Sequence, residues 1–184
     1  MPKNPINHQT TYSATESDPI ILHQNRFFKM IFNGRFHYLE AVKYSQGVVV
    51  IPLVKKEKYI MVSQLRVPSL GISLEFPRGG VDANESKEQA VLRELKEETG
   101  AVNVSSLKYL GEIFPESATI NGGISIFFVE LDSFEDYKQE DSNEIEAIVL
   151  LTEKELLEKI KSGALKDGIT CAAYTLLKAH LAAK

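Results

Sequence analysis

The chain has 184 residues, 43% of them apolar and 25% charged, with a formal net charge of −4. That length and balance suit one folded domain with a sizeable core and exclude a disordered polypeptide. The mild negative charge speaks against a general nucleic-acid binder, whose surface needs a basic face.

The start, MPKNPINHQTTYSATESDP, is polar and lacks the apolar stretch of a signal peptide; residues 1–22 read as a polar arm. No run approaches the roughly 20 apolar residues of a membrane helix. The single Cys171 leaves no internal disulfide, so the expected location is a reducing compartment, the cytoplasm. Arg26–Phe32 and Arg35–Lys43 are β-favouring runs around Asn33-Gly34, a hairpin signal that sets off residues 23–45 as a β-rich extension. Residues 46–184 read as the main domain. Gly47–Val54 and Tyr59–Leu65 read as strands, Leu74–Pro77 as a short extended piece, and Gly79-Gly80 as a loop. Ser86 and Gln89 stand in capping-box relation and open a helix that Gly100 stops. Leu107–Phe114 and Ile124–Leu131 read as strands, the second apolar enough to be covered on both faces. Ile145–Leu151 is a further strand. Thr152 with Glu155 caps a helix to about Lys161, and a last helix runs from about Ile169 to Leu181. The expected class is α+β, a mixed sheet between helices.

The chemistry concentrates in the helix after Ser86. Residues four apart share a helix face, so Glu94 and Glu98 stack, with Glu97 alongside. Like charges at that spacing cost a bare helix a few tenths of a kcal/mol. Such a face is either solvated or set against cations, and Mg²⁺ takes a few carboxylate oxygens together with water and phosphate oxygens. Val91 and Leu95 form the opposite, buried stripe, with Ala90 and Leu92 expected beside it. Arg93 lies four residues before Glu97 and can hold its carboxylate. His8, His23, His37 and His180 show no ligand spacing. Cys171, within the last apolar helix, reads as a small core residue.

The full pattern is a Gly (Gly79), five residues, Glu85, seven residues, then Arg93-Glu94-Leu95-Lys96-Glu97-Glu98-Thr99-Gly100. Seven fixed positions at roughly 7% each coincide by chance in about one window in 10⁸. This segment resembles the Nudix box, and the resemblance extends from about Arg26 to the end. It implies a Nudix-type α/β/α sandwich, Mg²⁺ (or Mn²⁺) as cofactor, and hydrolysis of the diphosphate bond of a nucleoside-diphosphate derivative. It further implies Glu94, Glu97, Glu98 and the Arg78 carbonyl as metal ligands, Glu85 as a supporting acid, and Arg93 as an orienting residue. A late-loop carboxylate, Glu140 or Glu144, with Glu144 preferred, is the implied general base. Gln64-Leu65-Arg66, Leu74-Glu75-Phe76-Pro77 and the ending 163–170 are similar to the ADP-ribose pyrophosphatase branch. There Arg66 and Glu75 would contact substrate. A surface ion pair for Arg66 and a loop cap for Glu75 are the plainer alternatives.

Arg78 stands where that branch commonly has Ala or Gly, so its guanidinium meets a phosphate or points to solvent. Phe114-Pro115-Glu116-Ser117-Ala118 replaces a Ser-Pro-Gly-like turn. These departures leave another nucleotide sugar or a dinucleotide polyphosphate open as substrate. A non-catalytic nucleotide sensor is the rival class, and it tends to lose box carboxylates that are all present here. In that branch the N-terminal strands often cross to a second subunit. The apolar Phe27–Val42 hairpin therefore implies a homodimer, with packing on its own domain as the alternative.

Overall fold

The computed structural model describes residues 18–44, 46–66, 71–135 and 145–183. In chain order the strands are β1 (Ile20–Gln24), β2 (Phe28–Phe32), β3 (His37–Ala41), β4 (Gly47–Val54), β5 (Lys58–Arg66), β6 (Gly71–Glu75) and β7 (Arg78–Gly80). Helix α1 (Lys87–Thr99) follows, then β8 (Val104–Ile113), β9 (Ile120–Asn121), β10 (Ile124–Leu131) and β11 (Ile145–Thr152). The chain closes with α2 (Glu153–Lys161) and α3 (Gly168–Ala182).

The expected hairpin is present, with a four-residue loop at its tip. Asn33 N–H donates to the Phe36 carbonyl at 3.2 Å, Asn33 Oδ1 accepts from the Arg35 and Phe36 amides, and Gly34 takes φ +86°. β2 and β3 sit within a four-stranded sheet of order β1-β2-β3-β9, in which β9 runs parallel to β3. β1 begins inside the stretch read as a polar arm. Ile20-Ile21-Leu22 is too short to show a period, but the open edge of β2 recruits it as an antiparallel partner.

The main sheet has the order β11-β5-β4-β10-β8 and is mixed, since β10 runs parallel to β4 while its other pairings are antiparallel. Alternation along β4 sends Val49 and Ile51 to one face, where Leu156 of α2 and Tyr174 and Leu177 of α3 cover them. Val48 and Val50 point to the other, under Ala90, Val91 and Leu95 of α1. β10 likewise places Ile126 in one cluster and Phe127 and Val129 in the other, as its apolar composition requires. The architecture is an α/β/α sandwich. Among the described residues no helix is long and apolar enough to cross a membrane.

Two local expectations are corrected. Gly79-Gly80 is not a free loop but part of β7, paired with β4 at Val49↔Arg78, Val48↔Gly79 and Gly47↔Gly80. The reason is the short β4–β5 pairing, which covers only Leu53 and Val54 and leaves the start of β4 needing backbone partners. Leu92 is 39% exposed, because it lies beyond the stripe set by Val91 and Leu95.

Candidate active site

α1 carries its carboxylates on a well-capped rod. Ser86 Oγ accepts from Gln89 N–H and Gln89 Oε1 from Ser86 N–H, while Gly100 closes the other end at φ +72°. Burial of Val91 and Leu95 fixes the rotation of the helix, so that Glu94 and Glu98 face β7. A Cβ at Gly79 would overlap the Glu94 carboxylate, so a residue without a side chain is required beneath it. Glu98 Oε2 accepts from the Arg78 amide at 3.0 Å, and Glu98 Oε1 from Gln64 Nε2 at 3.2 Å. An extended residue points its N–H and C=O to the same side, so the Arg78 carbonyl shares that edge, away from β4.

Arg93 organises the rest. Its Nε and Nη2 reach the two Glu85 oxygens at 2.8 and 2.9 Å, and Nη2 also donates to the Gly80 carbonyl at 2.8 Å. Nη1 meets Glu94 Oε1 at 2.6 Å and Glu97 Oε2 at 3.0 Å. One guanidinium thus ties three box carboxylates to the backbone of β7. Contact with Arg93 holds Glu85 below the usual carboxylate range.

Glu94 and Glu98 go the other way. Burial raises Glu94, and burial with the nearby Glu94 charge lifts Glu98 to about 7 against the Arg78 amide bond. Two half-buried acids that resist ionisation side by side are what a divalent cation would relieve, and hard carboxylate and carbonyl oxygens are the donors Mg²⁺ prefers. Among the described residues no three acidic, imidazole or thiol groups form a ready-made cage. That suits an ion that keeps several waters and takes others of its oxygens from substrate. The donors present fit such a cation.

The raised Glu98 sets the pH response of the metal-free protein. Its folded pKa of about 7 exceeds the 4.5 of a free glutamate, so the folded state binds more protons between them. Its stabilising contribution is full below 4.5 and is lost as pH rises through 7. In EDTA the wild-type melting temperature should therefore fall from pH 6 to pH 8 more than that of Glu98→Gln, which lacks this titration. Equal slopes would show that Glu98 is not buried as described.

Behind β7 lies a charge cluster that the sequence reading did not assemble. Glu75 is fully buried and receives Arg66 through Nε at 3.1 Å and Nη2 at 2.9 Å, and Arg78 through Nη2 at 2.7 Å. Arg78 Nη1 lies 3.2 Å from both oxygens of Asp167. The Arg78 guanidinium is thus committed to two buried acids instead of standing free toward solvent, and among the described residues Glu75 accepts from arginines, not from loop amides. Arg66, whose side chain is 36% exposed, makes the ion pair foreseen for it, though with a buried partner. Asp167 and Thr170 were missed as site residues. Asp167 carried only the signal of a helix N-cap, which does not point to Arg78. Glu144 and Glu140 lie outside the described residues. A hollow of about 610 Å³ lies between β3 and the 114–122 loop beside Phe36, Tyr38 and Phe114, and none of the α1 carboxylates lines it.

The family described as the NUDIX domain matches residues 43–169. Over 155 residues the chain is 29% identical to an ADP-ribose pyrophosphatase of Bacillus subtilis (strain 168), covering 83% of each chain. It is 28% identical over 153 residues to a methanol dehydrogenase activator of Bacillus methanolicus, covering 83% of this chain and 82% of that one. A solved structure described as an ADP compounds hydrolase shares the fold, with a TM-score of 0.73, 18% identity, and coverage of 92% and 94%. A family match running from Lys43 to Ile169 takes in both the β7–α1 carboxylate site and the main sheet around it, and so the chain belongs to the Nudix hydrolase family, near its ADP-ribose pyrophosphatase branch.

Proposed function

We propose that the protein hydrolyses the diphosphate bond of ADP-ribose to AMP and ribose 5-phosphate, with Mg²⁺ as cofactor. The observation that carries this reading is the burial of Glu94 and Glu98 against Gly79 and the Arg78 amide, at one edge of the sheet. Bound divalent cations would lower the pKa of an attacking water and offset the charge of the diphosphate. The chain's own residues supply the frame for that chemistry. Glu94, Glu98 and the Arg78 carbonyl would hold the ions, with Glu97 at the outer rim, where its side chain is 58% exposed. Arg93 fixes the carboxylates in place, and Glu85 in turn fixes Arg93. Arg66 is the exposed cation of the rear cluster and is assigned to the substrate phosphates or ribose, with Glu75 and Arg78 beneath it. The attacking water needs a base, and Glu144 is assigned that role on the family resemblance.

The exposed apolar residues of the first sheet, Phe27, Phe28, Met30, Phe36 and Leu39, support a homodimer built on that sheet. Dilution across the micromolar range in sedimentation experiments should show a reversible dimer, and a monomer at every concentration would sink this assignment.

The activity is tested on a panel of ADP-ribose, other nucleotide sugars, dinucleotide polyphosphates and NADH, with Mg²⁺ or Mn²⁺. ADP-ribose should show the highest kcat/KM, with AMP and ribose 5-phosphate as products and ¹⁸O from solvent in one of them. Preference for another diphosphate would move the substrate and keep the chemistry. Tight nucleotide binding with no turnover on the whole panel would replace the enzyme by a sensor.

A further inference from the structure

The turn between β6 and β7 is held from behind by the start of α3, through two separate connections. Phe76 N–H donates to Thr170 Oγ1 at 3.1 Å, and Arg78 Nη1 lies 3.2 Å from each oxygen of Asp167. Asp167 is also the N-cap of α3, where its Oδ2 accepts from Thr170 N–H at 2.8 Å. One carboxylate therefore caps the helix and grips the arginine. On the opposite side of the guanidinium, Nη2 reaches Glu75 at 2.7 Å. Arg78 is clamped between two acids whose side chains are 8% and 0% exposed, and it is itself 17% exposed. Water has little access to loosen the pairing, and a planar guanidinium gripped on both edges has little freedom to turn.

The same residue makes a second contact through its backbone. Arg78 N–H donates to Glu98 Oε2, and its carbonyl projects to the same edge. The side chain of Arg78 is anchored at the rear of the sheet while its peptide groups set the position of the front. The rear anchor and the Glu98 contact thus belong to one residue.

We propose that Asp167 is a positioning residue for the divalent-cation site, acting through the Arg78 side chain on the Arg78 peptide groups and Glu98. This rests on the reading of Glu98 and the Arg78 carbonyl as ligands given under the proposed function. Asp167 touches no reacting atom. Its part is to hold the strand edge in register with α1, so that the carboxylate and the carbonyl meet one ion together. Partners of that kind, one step removed from the ion, typically contribute about 10- to 100-fold in metal affinity or activity.

The test is a double-mutant cycle on metal binding. Asp167→Asn keeps a side-chain oxygen to cap α3 but removes the charge facing Arg78. Arg78→Met keeps the apolar stem and removes the guanidinium. Mg²⁺ and Mn²⁺ affinities are measured calorimetrically for the wild type, both single variants, the double variant and Glu98→Gln, beside kcat and KM at saturating metal. Asp167→Asn should weaken metal binding by about tenfold or more, with KM for the nucleotide nearly unchanged and activity recovered at high Mg²⁺. The double variant should bind metal no more weakly than Arg78→Met alone, because the carboxylate acts only through that arginine. Additive losses, or unchanged affinity in Asp167→Asn, would overturn the proposal. If Asp167→Asn does not fold, the double variant removes both charges of the pair and is compared with Arg78→Met in its place. Should Glu98→Gln itself retain full metal affinity, the reading of the site fails. If Glu98→Gln loses affinity and Asp167→Asn does not, only the positioning role fails.

Discussion

Glu98→Gln should lower kcat/KM for the preferred diphosphate by about 10³-fold, equivalent to about 4 kcal/mol of transition-state stabilisation. It should do so without unfolding the protein. Glu98 is buried enough that its pKa sits near 7, so the metal-free fold already carries a neutral carboxyl for much of the time at neutral pH. An uncharged amide of the same shape removes that burial cost. It can still accept from Arg78 N–H through its oxygen, whereas its NH₂ faces the Gln64 amide, which can present its own oxygen in return. The metal-free variant should melt at or above the wild-type temperature at pH 8, and added Mg²⁺ should stabilise it less than the wild type. Glu97→Gln supplies the contrast. Its side chain is 58% exposed at the rim of the site, so its loss should cost activity far less, about tenfold. Equal losses at the two positions would mean that burial against β7 does not select the ligands. An active Glu98→Gln enzyme would remove the basis of the site.

Most of this arrangement was legible because its causes are local. The two capping boxes and Gly100 fixed where α1 and α2 begin and where α1 ends, and the observed bounds follow them closely. Helical spacing placed Glu94, Glu97 and Glu98 together, and Arg93 within reach of Glu97, before any tertiary contact was known. What escaped the reading was set by distant partners. β7 exists because the edge of β4 opposite β10 has no β5 partner along Gly47–Val50, a fact of sheet pairing that no window around Gly79 contains. β9 is two residues long and owes its identity to β3. The Arg78–Asp167 pair joins residues 89 positions apart, and neither shows its partner in sequence. The expectation of a solvent or phosphate contact for Arg78 weighed only its own charge. Two acids from β6 and α3 already neutralise it.

Gly79→Ala should separate the fold from the site more sharply than any carboxylate change. The added methyl group would occupy the space of the Glu94 carboxylate, which lies at the end of a flexible side chain. Gly79 lies in a paired strand and is absent from the positive-φ glycines, so alanine meets no backbone strain there. The relief is therefore cheap for the protein: Glu94 swings outward, loses its 2.6 Å contact with Arg93, and leaves the edge of β7. The melting temperature without metal should stay within a few degrees of the wild type, since a substitution that displaces only a mobile side chain costs about 1 kcal/mol or less. Metal affinity and kcat/KM should both fall by about 100-fold or more, because Glu94 can no longer share an ion with Glu98 and the Arg78 carbonyl. Gly80→Ala is the control with the opposite signature. A Cβ there overlaps Tyr44 at the Cγ end of its ring, next to the backbone and not at the tip of a flexible chain, so stability should drop along with activity. If Gly79→Ala kept wild-type metal affinity, Glu94 would not be held over β7 in the working enzyme. Loss of fold at Gly79 with Gly80 tolerant would show that the strand, not the carboxylate, is what this glycine protects.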